Sequence, residues 1–181
     1  MRKQLSAISL VGMLCAVLTG CRDQAAMTEL AQMKAQAAVE RENESIARQV
    51  FAAIDAQDFE RFKGLMAPEI IVRYSGPQAD LNLDAVIPLI KTFYQAFPNY
   101  SHTIEDIFAK GDRVVLRMLQ QATHKGEFEG LAPTGKDFKY YQITILQIKD
   151  GKVHGWWIVE DNVGMMTQLG MELKPTATPK K

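Results

Sequence analysis

Four long segments in the second half of the chain alternate apolar and polar residues, and this pattern restricts the fold more than any other feature. The segments are 102–108, 113–124, 137–148 and 153–159. Such alternation is typical of strands with one buried face. The sequences at 110–112 and 149–152 contain glycine, which predicts tight antiparallel hairpins between neighbouring strands.

The chain before these segments is predicted to be mainly helical. Apolar residues recur at helical spacing between Ile46 and Ile54. Asp58 is placed to cap a short helix over 59–66, and a third helix is predicted over 83–97. Helices followed by a meander of strands predict an α+β fold. We expect a curved antiparallel sheet, packed against about three N-terminal helices, to form a half-barrel around an apolar pocket.

Two further elements frame the predicted sheet. A strand over 69–74 is predicted before the third helix. A closing helix is predicted over 162–169, with Gly170 as its terminator. Pro88 lies inside the third helix, where it is expected to kink the helix or delay its start.

The beginning of the sequence has the pattern of an export signal that ends at a lipidated cysteine. Arg2 and Lys3 precede an uncharged, mostly apolar stretch over 4–20, which is short for a membrane span. Small residues lead into Cys21. We interpret 1–20 as a lipoprotein signal peptide and Cys21 as the lipidation residue. The alternative is an ordinary signal peptide that happens to contain a cysteine.

Lipidation of Cys21 leaves no free thiol in the mature chain. The other cysteine, Cys15, lies within the signal segment. Disulfide, thiol and metal–thiolate chemistry are therefore not expected. Arg22 is not an aspartate-type inner-membrane retention signal. We therefore predict a lipid anchor in the cell envelope, with the periplasmic side of the outer membrane favoured.

The sequence predicts four parts along the chain. They are a signal peptide (1–20), the lipidated cysteine with a partly helical tether (21–43), a folded domain (44–171) and a disordered tail (172–181). A partner-binding helix is the alternative for the tether. The 21 basic residues balance 21 acidic ones and form no basic block, so nucleic acid is not an expected partner.

The last predicted strand offers a candidate catalytic carboxylate. Strict alternation places Trp157 and Asp161 on one face with Val153, and this face is apolar. A carboxylate at the end of an apolar wall is desolvated, which suits it to proton transfer near neutral pH. The alternative is that Asp161 caps the closing helix.

Histidines and neutral polar residues are further candidates. His124, at the far end of the long strand, is placed to orient or protonate a substrate oxygen, and its alternative is a loop-edge histidine bonded to backbone. His102, Trp157, Gln120 and Tyr140 are candidate ligand contacts, with packing in the core or on the surface as their alternative. No histidine pair has metal-ligand spacing, and no phosphate-binding glycine motif is present, so neither a metal nor a cofactor is predicted.

Three stretches of the chain together resemble the SnoaL-like polyketide cyclase or ester cyclase family, within the nuclear-transport-factor-2-like superfamily. The stretches are 97–114, 123–136 and 157–170. The resemblance implies a cone-shaped α+β barrel with an apolar cavity. It also implies that Asp161 is the general acid/base of an intramolecular aldol closure without cofactor or metal. His124 or His102 would then position or polarise the carbonyl group.

The chain also departs from that family in one place. Many relatives carry a Glu-His pair before the closing tryptophan, where this chain has Gly155 and Trp156. Two hypotheses follow: a cofactor-independent cyclase or isomerase for a small apolar organic molecule, or a non-catalytic envelope module that binds such a ligand or a protein partner. The family's pairing through the sheet predicts a homodimer, with Trp156, Ile158 and Ile143 or Ile145 on the outer face.

Overall fold

The computed structural model describes residues 6–75 and 80–172, with side chains described from residue 24 onward. The side chain of Cys21 and nearly all of the predicted tail lie outside this part of the chain. The chain divides into two units, Met1–Val39 and Glu40–Lys181. In the described part of the chain, no helix is long and apolar enough to cross a membrane.

The order of elements confirms the α+β class. The described residues of the first unit are helical, and α1 (Ser6–Asp55) ends in the second unit. The elements that follow are α2 (Phe59–Leu65), β1 (Met66–Tyr74), α3 (Leu83–Ala96), β2 (Ser101–Lys110), β3 (Arg113–Thr123), β4 (Asp137–Lys149), β5 (Lys152–Glu160) and α4 (Asn162–Leu169).

Side-chain caps and a glycine set the ends of the short helices. Asp58 accepts a hydrogen bond from the N–H of Arg61 at the start of α2 (3.0 Å). Gly170 ends α4 in the left-handed conformation, with φ of 95°. Pro88 lies inside α3, and the helix nevertheless runs over all 14 residues.

The five strands form one curved, unclosed sheet in the order β1-β5-β4-β3-β2. The neighbours β2 to β5 pair antiparallel, whereas β1 pairs with β5 in parallel. One irregularity matters for the site. Gln147 pairs with Gly155, but Ile148 pairs with Val153, so β5 has one extra residue at His154. This β-bulge reverses the alternation of faces along β5.

The concave face of the sheet packs on the helices of the second unit. Val114, Leu116 and Met118 of β3 are fully buried, together with Phe51 of α1 and Phe62 of α2. Trp156 stands edge-on to Phe51, with ring centroids 5.8 Å apart. Hydrogen bonds hold the end of α1 to the β2–β3 hairpin, because Glu44 accepts from the N–H of Ala109 (3.1 Å).

The convex face of the sheet carries exposed apolar side chains. Ile143 and Ile145 lie on this face, as predicted, and are 48% and 36% exposed. Trp156 and Ile158 do not, since both are buried on the concave face. The prediction that these two residues belong to the outer surface was wrong because the bulge in β5 sets the opposite alternation.

Candidate active site

A cavity of about 520 Å³ lies between the concave face of the sheet, α3 and α4. This volume is within the range of roughly 300–1,000 Å³ that is typical of small-molecule sites. The lining is rich in aromatic rings and contains few charged groups. It consists of Ile54, Tyr74, Ser75, Leu81, Leu89, Ile90, Thr92, Phe93, Tyr94, Tyr100, His102, Phe128, Glu129, Tyr140, Gln142, Trp156, Ile158, Glu160, Asn162, Met165 and Met166.

One wall of the cavity holds a histidine–aspartate pair. Nδ1 of His102, on β2, lies 2.6 Å from Oδ1 of Asp55, the last residue of α1. Only 6% of the His102 side chain is exposed. Because the carboxylate accepts the hydrogen from Nδ1, the lone pair of the imidazole is on Nε2. The pair therefore has the arrangement of a general base oriented by a carboxylate.

Two further donors hold the carboxylate of Asp55 in place. The backbone N–H of His102 donates to Oδ2 (3.2 Å), and the hydroxyl of Tyr94, on α3, donates to Oδ1 (3.3 Å). Proximity to Asp55 adds to burial in raising the pKa of Tyr94, so this phenol stays protonated. The orientation of His102 is thus set jointly by α1, α3 and β2.

A second titratable group on the wall is Glu160, the last residue of β5. Its largely buried carboxyl has a raised pKa, chiefly because burial disfavours the charged form. A hydrogen bond from the side chain of Asn162 (3.3 Å) and the attraction of His102 partly oppose this effect. The lining includes no lysine or arginine among the described residues, so no fixed cation compensates the charge of Glu160.

Buried hydroxyl groups form a short chain in the same cavity. Tyr140 donates to the hydroxyl oxygen of Tyr100 (3.0 Å), and Tyr100 donates to Oε1 of Gln120. Burial raises the pKa of both tyrosines, so they remain neutral donors. Nε2 of Gln120 has no hydrogen-bond partner among the described residues.

The family model for SnoaL-like polyketide cyclase matches residues 44–169. The chain belongs to the SnoaL-like polyketide cyclase family. This SnoaL-like chain is 39% identical over 61 residues to aklanonic acid methyl ester cyclase AcmA from Streptomyces galilaeus. That match covers 34% of the chain and 42% of AcmA, so it spans less than half of the curated relative.

Solved structures share the fold of this SnoaL-like chain. AclR from Streptomyces galilaeus is 27% identical, with a TM-score of 0.67, over 72% of the chain and 97% of AclR. IdmH from Streptomyces antibioticus is 26% identical, with a TM-score of 0.66, over 71% of the chain and 99% of IdmH. The fold prediction of a cone-shaped half-barrel is confirmed.

The structure places Asp161 at the cap of α4 and not on the cavity wall. Its side chain accepts a hydrogen bond from the N–H of Gly164 (2.8 Å), and the residue is exposed. The carboxyl packs so closely on Gly164 that a Cβ there would overlap it. The geometry therefore shows the capping alternative. A catalytic role for Asp161 stays a prediction, without the pocket position on which it was based.

Trp157 also lies elsewhere than predicted, on the convex face. Its ring is flanked by the guanidinium groups of Arg73 (5.6 Å) and Arg113 (4.6 Å). Its neighbour Trp156 lines the cavity, and its Nε1–H donates to Oγ1 of Thr144 (2.6 Å). The expected ligand contact at Trp157 is thus corrected to Trp156, and the physical reason is the extra residue in β5.

The two predicted histidines are separated in the structure. His102 lines the cavity, as predicted, and so does Tyr140. His124 is fully buried outside that lining, where its ring packs on Phe97 (centroids 5.3 Å apart) and Nδ1 lies 3.1 Å from Oγ1 of Thr134. Gln120 is also fully buried and reaches the cavity only through Tyr100.

Sequence reasoning missed Asp55 and Glu160. Asp55 is 47 positions from His102, and nothing local links the two. Glu160 lies on the same face of β5 as Trp156 and Ile158. This apolar pair is the sequence signal that could have identified Glu160 as a cavity residue. As for metals, no group of three or more His, Cys, Asp or Glu side chains in the described chain is placed to hold an ion.

Proposed function

We propose that this protein is an enzyme that removes a proton from an activated carbon of a small, largely apolar organic molecule, without a cofactor. The observation that carries the proposal is the 2.6 Å contact between His102 and Asp55 on the wall of an aromatic cavity. A histidine oriented by a carboxylate is a competent general base near neutral pH. The family's cyclase chemistry is consistent with this role.

In the proposed reaction, Nε2 of His102 takes the proton from a carbon next to a carbonyl group. Asp55 stabilises the imidazolium that forms and keeps the ring in place. The carbanion is delocalised onto the carbonyl oxygen. The neutral hydroxyls on the wall, including Tyr74 with its raised pKa, are hydrogen-bond donors for such an oxygen.

The substrate class follows from the relative and from the lining. AcmA is by its name a cyclase of aklanonic acid methyl ester. We propose a polycyclic aromatic or polyketide-like molecule that carries a β-dicarbonyl group. Its rings would stack among Phe93, Phe128 and Trp156, which line the cavity.

The test is proton exchange in D₂O with the full chain in detergent, using an aromatic β-keto ester as the probe. Loss of the α-proton signal in NMR is expected to exceed the buffer rate. His102→Gln is expected to lower the enzymatic rate about 10²–10⁴-fold, the usual contribution of a positioned general base. An unchanged rate in this variant would contradict the proposal.

The same preparation tests the second candidate function, a non-catalytic envelope module for a small apolar ligand or a protein partner. The observation that favours it is that Asp161 caps a helix instead of facing the cavity. Equal thermal stabilisation of wild type and His102→Gln by the probe, with exchange at the buffer rate in both, would support this binding function.

We also propose that the protein is exported and anchored by lipid at Cys21, with the periplasmic side of the outer membrane favoured. The support is the uncharged stretch over 4–20 and the small residues before Cys21. Mass spectrometry of the membrane fraction is expected to show an acylated N-terminal cysteine. Cys21→Ala is expected to lose the acyl mass, and an unaltered membrane yield would contradict the anchor.

We propose, finally, that two copies pair through the convex face of the sheet. Tyr141, Ile143 and Val159 are exposed there at 50%, 48% and 58%. Light scattering in detergent, corrected for the micelle, is expected to give twice the mass of the chain. Ile143→Lys is expected to give the monomer mass, and a monomeric wild type at micromolar concentration would contradict the dimer.

A further inference from the structure

The carboxyl of Glu160 faces the same cavity as His102, from a strand that is not a neighbour of β2 in the sheet. β5 and β2 are separated by β4 and β3, and the curvature of the sheet places both side chains on the lining of one cavity. Both residues line the cavity, and the two groups are close enough to interact electrostatically. An acid and a base that line one cavity from different strands are placed to act on different atoms of one ligand.

The β-bulge in β5 determines that Glu160, and not its neighbour, has this position. Downstream of the extra residue at His154, the even-numbered residues Trp156, Ile158 and Glu160 face the cavity. Asp161 follows at once, but it is engaged with the N–H of Gly164. Two adjacent carboxyls therefore have separate roles, one in the cavity and one at a helix cap.

We propose that Glu160 is a second catalytic residue, the general acid that protonates the carbonyl oxygen attacked during ring closure. This inference rests on the proposed function, in which His102 is the base. Asn162 donates to Oε1 of Glu160 at 3.3 Å. The other carboxyl oxygen is thus the one that carries a transferable proton.

The step balances without any other reagent. His102 removes a proton from the α-carbon, and the resulting carbanion forms a carbon–carbon bond to a second carbonyl carbon of the same molecule. The π pair of that carbonyl moves to its oxygen, which takes the proton of Glu160. The product is an isomer with one new hydroxyl group. Transfer of a proton from the imidazolium of His102 to the carboxylate of Glu160 restores both groups.

The surroundings of Glu160 favour the protonated form of its carboxyl group. The groups that face it are His102 from β2, Tyr74 from β1, Tyr140 from β4 and Tyr100, which precedes β2. The three tyrosines are neutral because burial raises the pKa of each. No lysine or arginine of the described chain lines the cavity to stabilise the carboxylate. Burial therefore keeps the proton on Glu160 to higher pH than on an exposed glutamate.

The test compares Glu160→Gln with Asp161→Asn, two adjacent and equivalent changes, in the full chain in detergent. Two rates are measured: α-proton exchange of the β-keto ester, and conversion of aklanonic acid methyl ester to a cyclised isomer by chromatography. Glu160→Gln is expected to lower the ratio of closure to exchange about 100-fold. Asp161→Asn keeps the cap, because asparagine is an equally good N-cap, and is expected to leave the ratio unchanged.

Further outcomes separate this inference from the proposed function. Closure in the wild type is expected to fall as pH rises through the pKa of Glu160, and this limb is expected to disappear in Glu160→Gln. Glu160→Asp, which keeps a proton, is expected to recover part of the closure rate. The role of Glu160 is overturned if Glu160→Gln leaves the ratio of closure to exchange unchanged, or if Asp161→Asn lowers it. In either case, exchange by the wild type still supports His102 as the base. A wild type without exchange overturns the proposed function itself.

Discussion

His102 and His124 both lie on the concave side of the sheet, yet their surroundings differ in every respect that matters for catalysis. His102 has a carboxylate at 2.6 Å and lines the cavity. His124 is fully buried against Phe97, and its polar contact is with Thr134. Of these two buried histidines, His102 is thus the one that combines a carboxylate partner with access to the cavity.

The hydrogen bonds of His124 determine which of its ring nitrogens carries the hydrogen. The backbone N–H of Thr134 donates to Nδ1 (3.3 Å), so Nδ1 is the acceptor and Nε2 carries the hydrogen. Nε2 has no partner among the described residues. An unpartnered buried donor costs about 1–3 kcal/mol. His124 is therefore placed to stabilise the loop that follows β3.

The largest effect is expected when the partner of His102 is removed. Asp55→Asn keeps the size of the side chain but removes the charge that stabilises the imidazolium. We expect α-proton exchange to fall about 10²–10⁴-fold, as in other histidines that lose an orienting carboxylate. The measurement is the NMR exchange rate, with circular dichroism as the check on folding. A rate within threefold of wild type would mean that the carboxylate of Asp55 gives His102 no catalytic advantage over His124.

A large effect on stability, and not on chemistry, is expected at His124. His124→Ala leaves a cavity beside Phe97 and removes the contact with Thr134. We expect the free energy of unfolding to fall by about 2–4 kcal/mol, in line with large-to-small changes in a core. Urea denaturation measures this loss, and exchange per folded molecule is expected to stay within threefold. Loss of exchange in the folded protein would give His124 a catalytic role.

A smaller effect is expected at Tyr94, which supports the pair from α3. Tyr94→Phe removes one hydrogen bond to Asp55 and leaves the ring in place. The expected loss of stability is about 1 kcal/mol. We expect kcat for exchange to fall less than tenfold with little change in KM, because Tyr94 acts through Asp55. The steady-state parameters measure this split, and a rise in KM alone would indicate ligand contact instead.

The smallest effect is expected in the pH dependence of stability at Glu160. Burial raises the pKa of Glu160 in the folded state, so the folded protein binds this proton more tightly than the unfolded chain. The associated stability is present below the unfolded pKa of about 4.3 and is lost as pH rises through the folded pKa. Glu160→Gln is therefore expected to gain Tm relative to wild type as pH increases over this window. A constant difference in Tm across pH would contradict the raised pKa.

Much of the fold was predictable because its signals are local. The closing helix over 162–169 and its terminator Gly170 were predicted at the observed positions, since a cap, a short apolar segment and a glycine mark them in sequence. The strands begin and end within a few residues of the predicted limits. The parallel pairing of β1 with β5 was not predicted, because it joins segments more than 80 residues apart (Met66 pairs with Val153).

The site was less predictable because its decisive contacts are not local. His102 and Tyr140 were among the candidates, but the partner of His102 lies at the end of a helix with no motif around it. Trp157 and Asp161 were assigned to the pocket by counting alternate residues from Val153. That count fails at His154, where one extra residue enters β5.

The single extra residue in β5 also makes the chemistry of the site sensitive to chain length. Deletion of His154 would remove the bulge and restore strict alternation, and Val153, Trp156 and Glu160 would still lie on the concave face because the pairing on either side of the bulge is unchanged. A one-residue insertion or deletion after His154 that no bulge absorbs would instead turn every later residue of β5 to the other face, and a different carboxyl would then face the cavity. Such a one-codon change is therefore a route by which a barrel of this type can alter the carboxyl that faces its cavity while His102 keeps its place on β2.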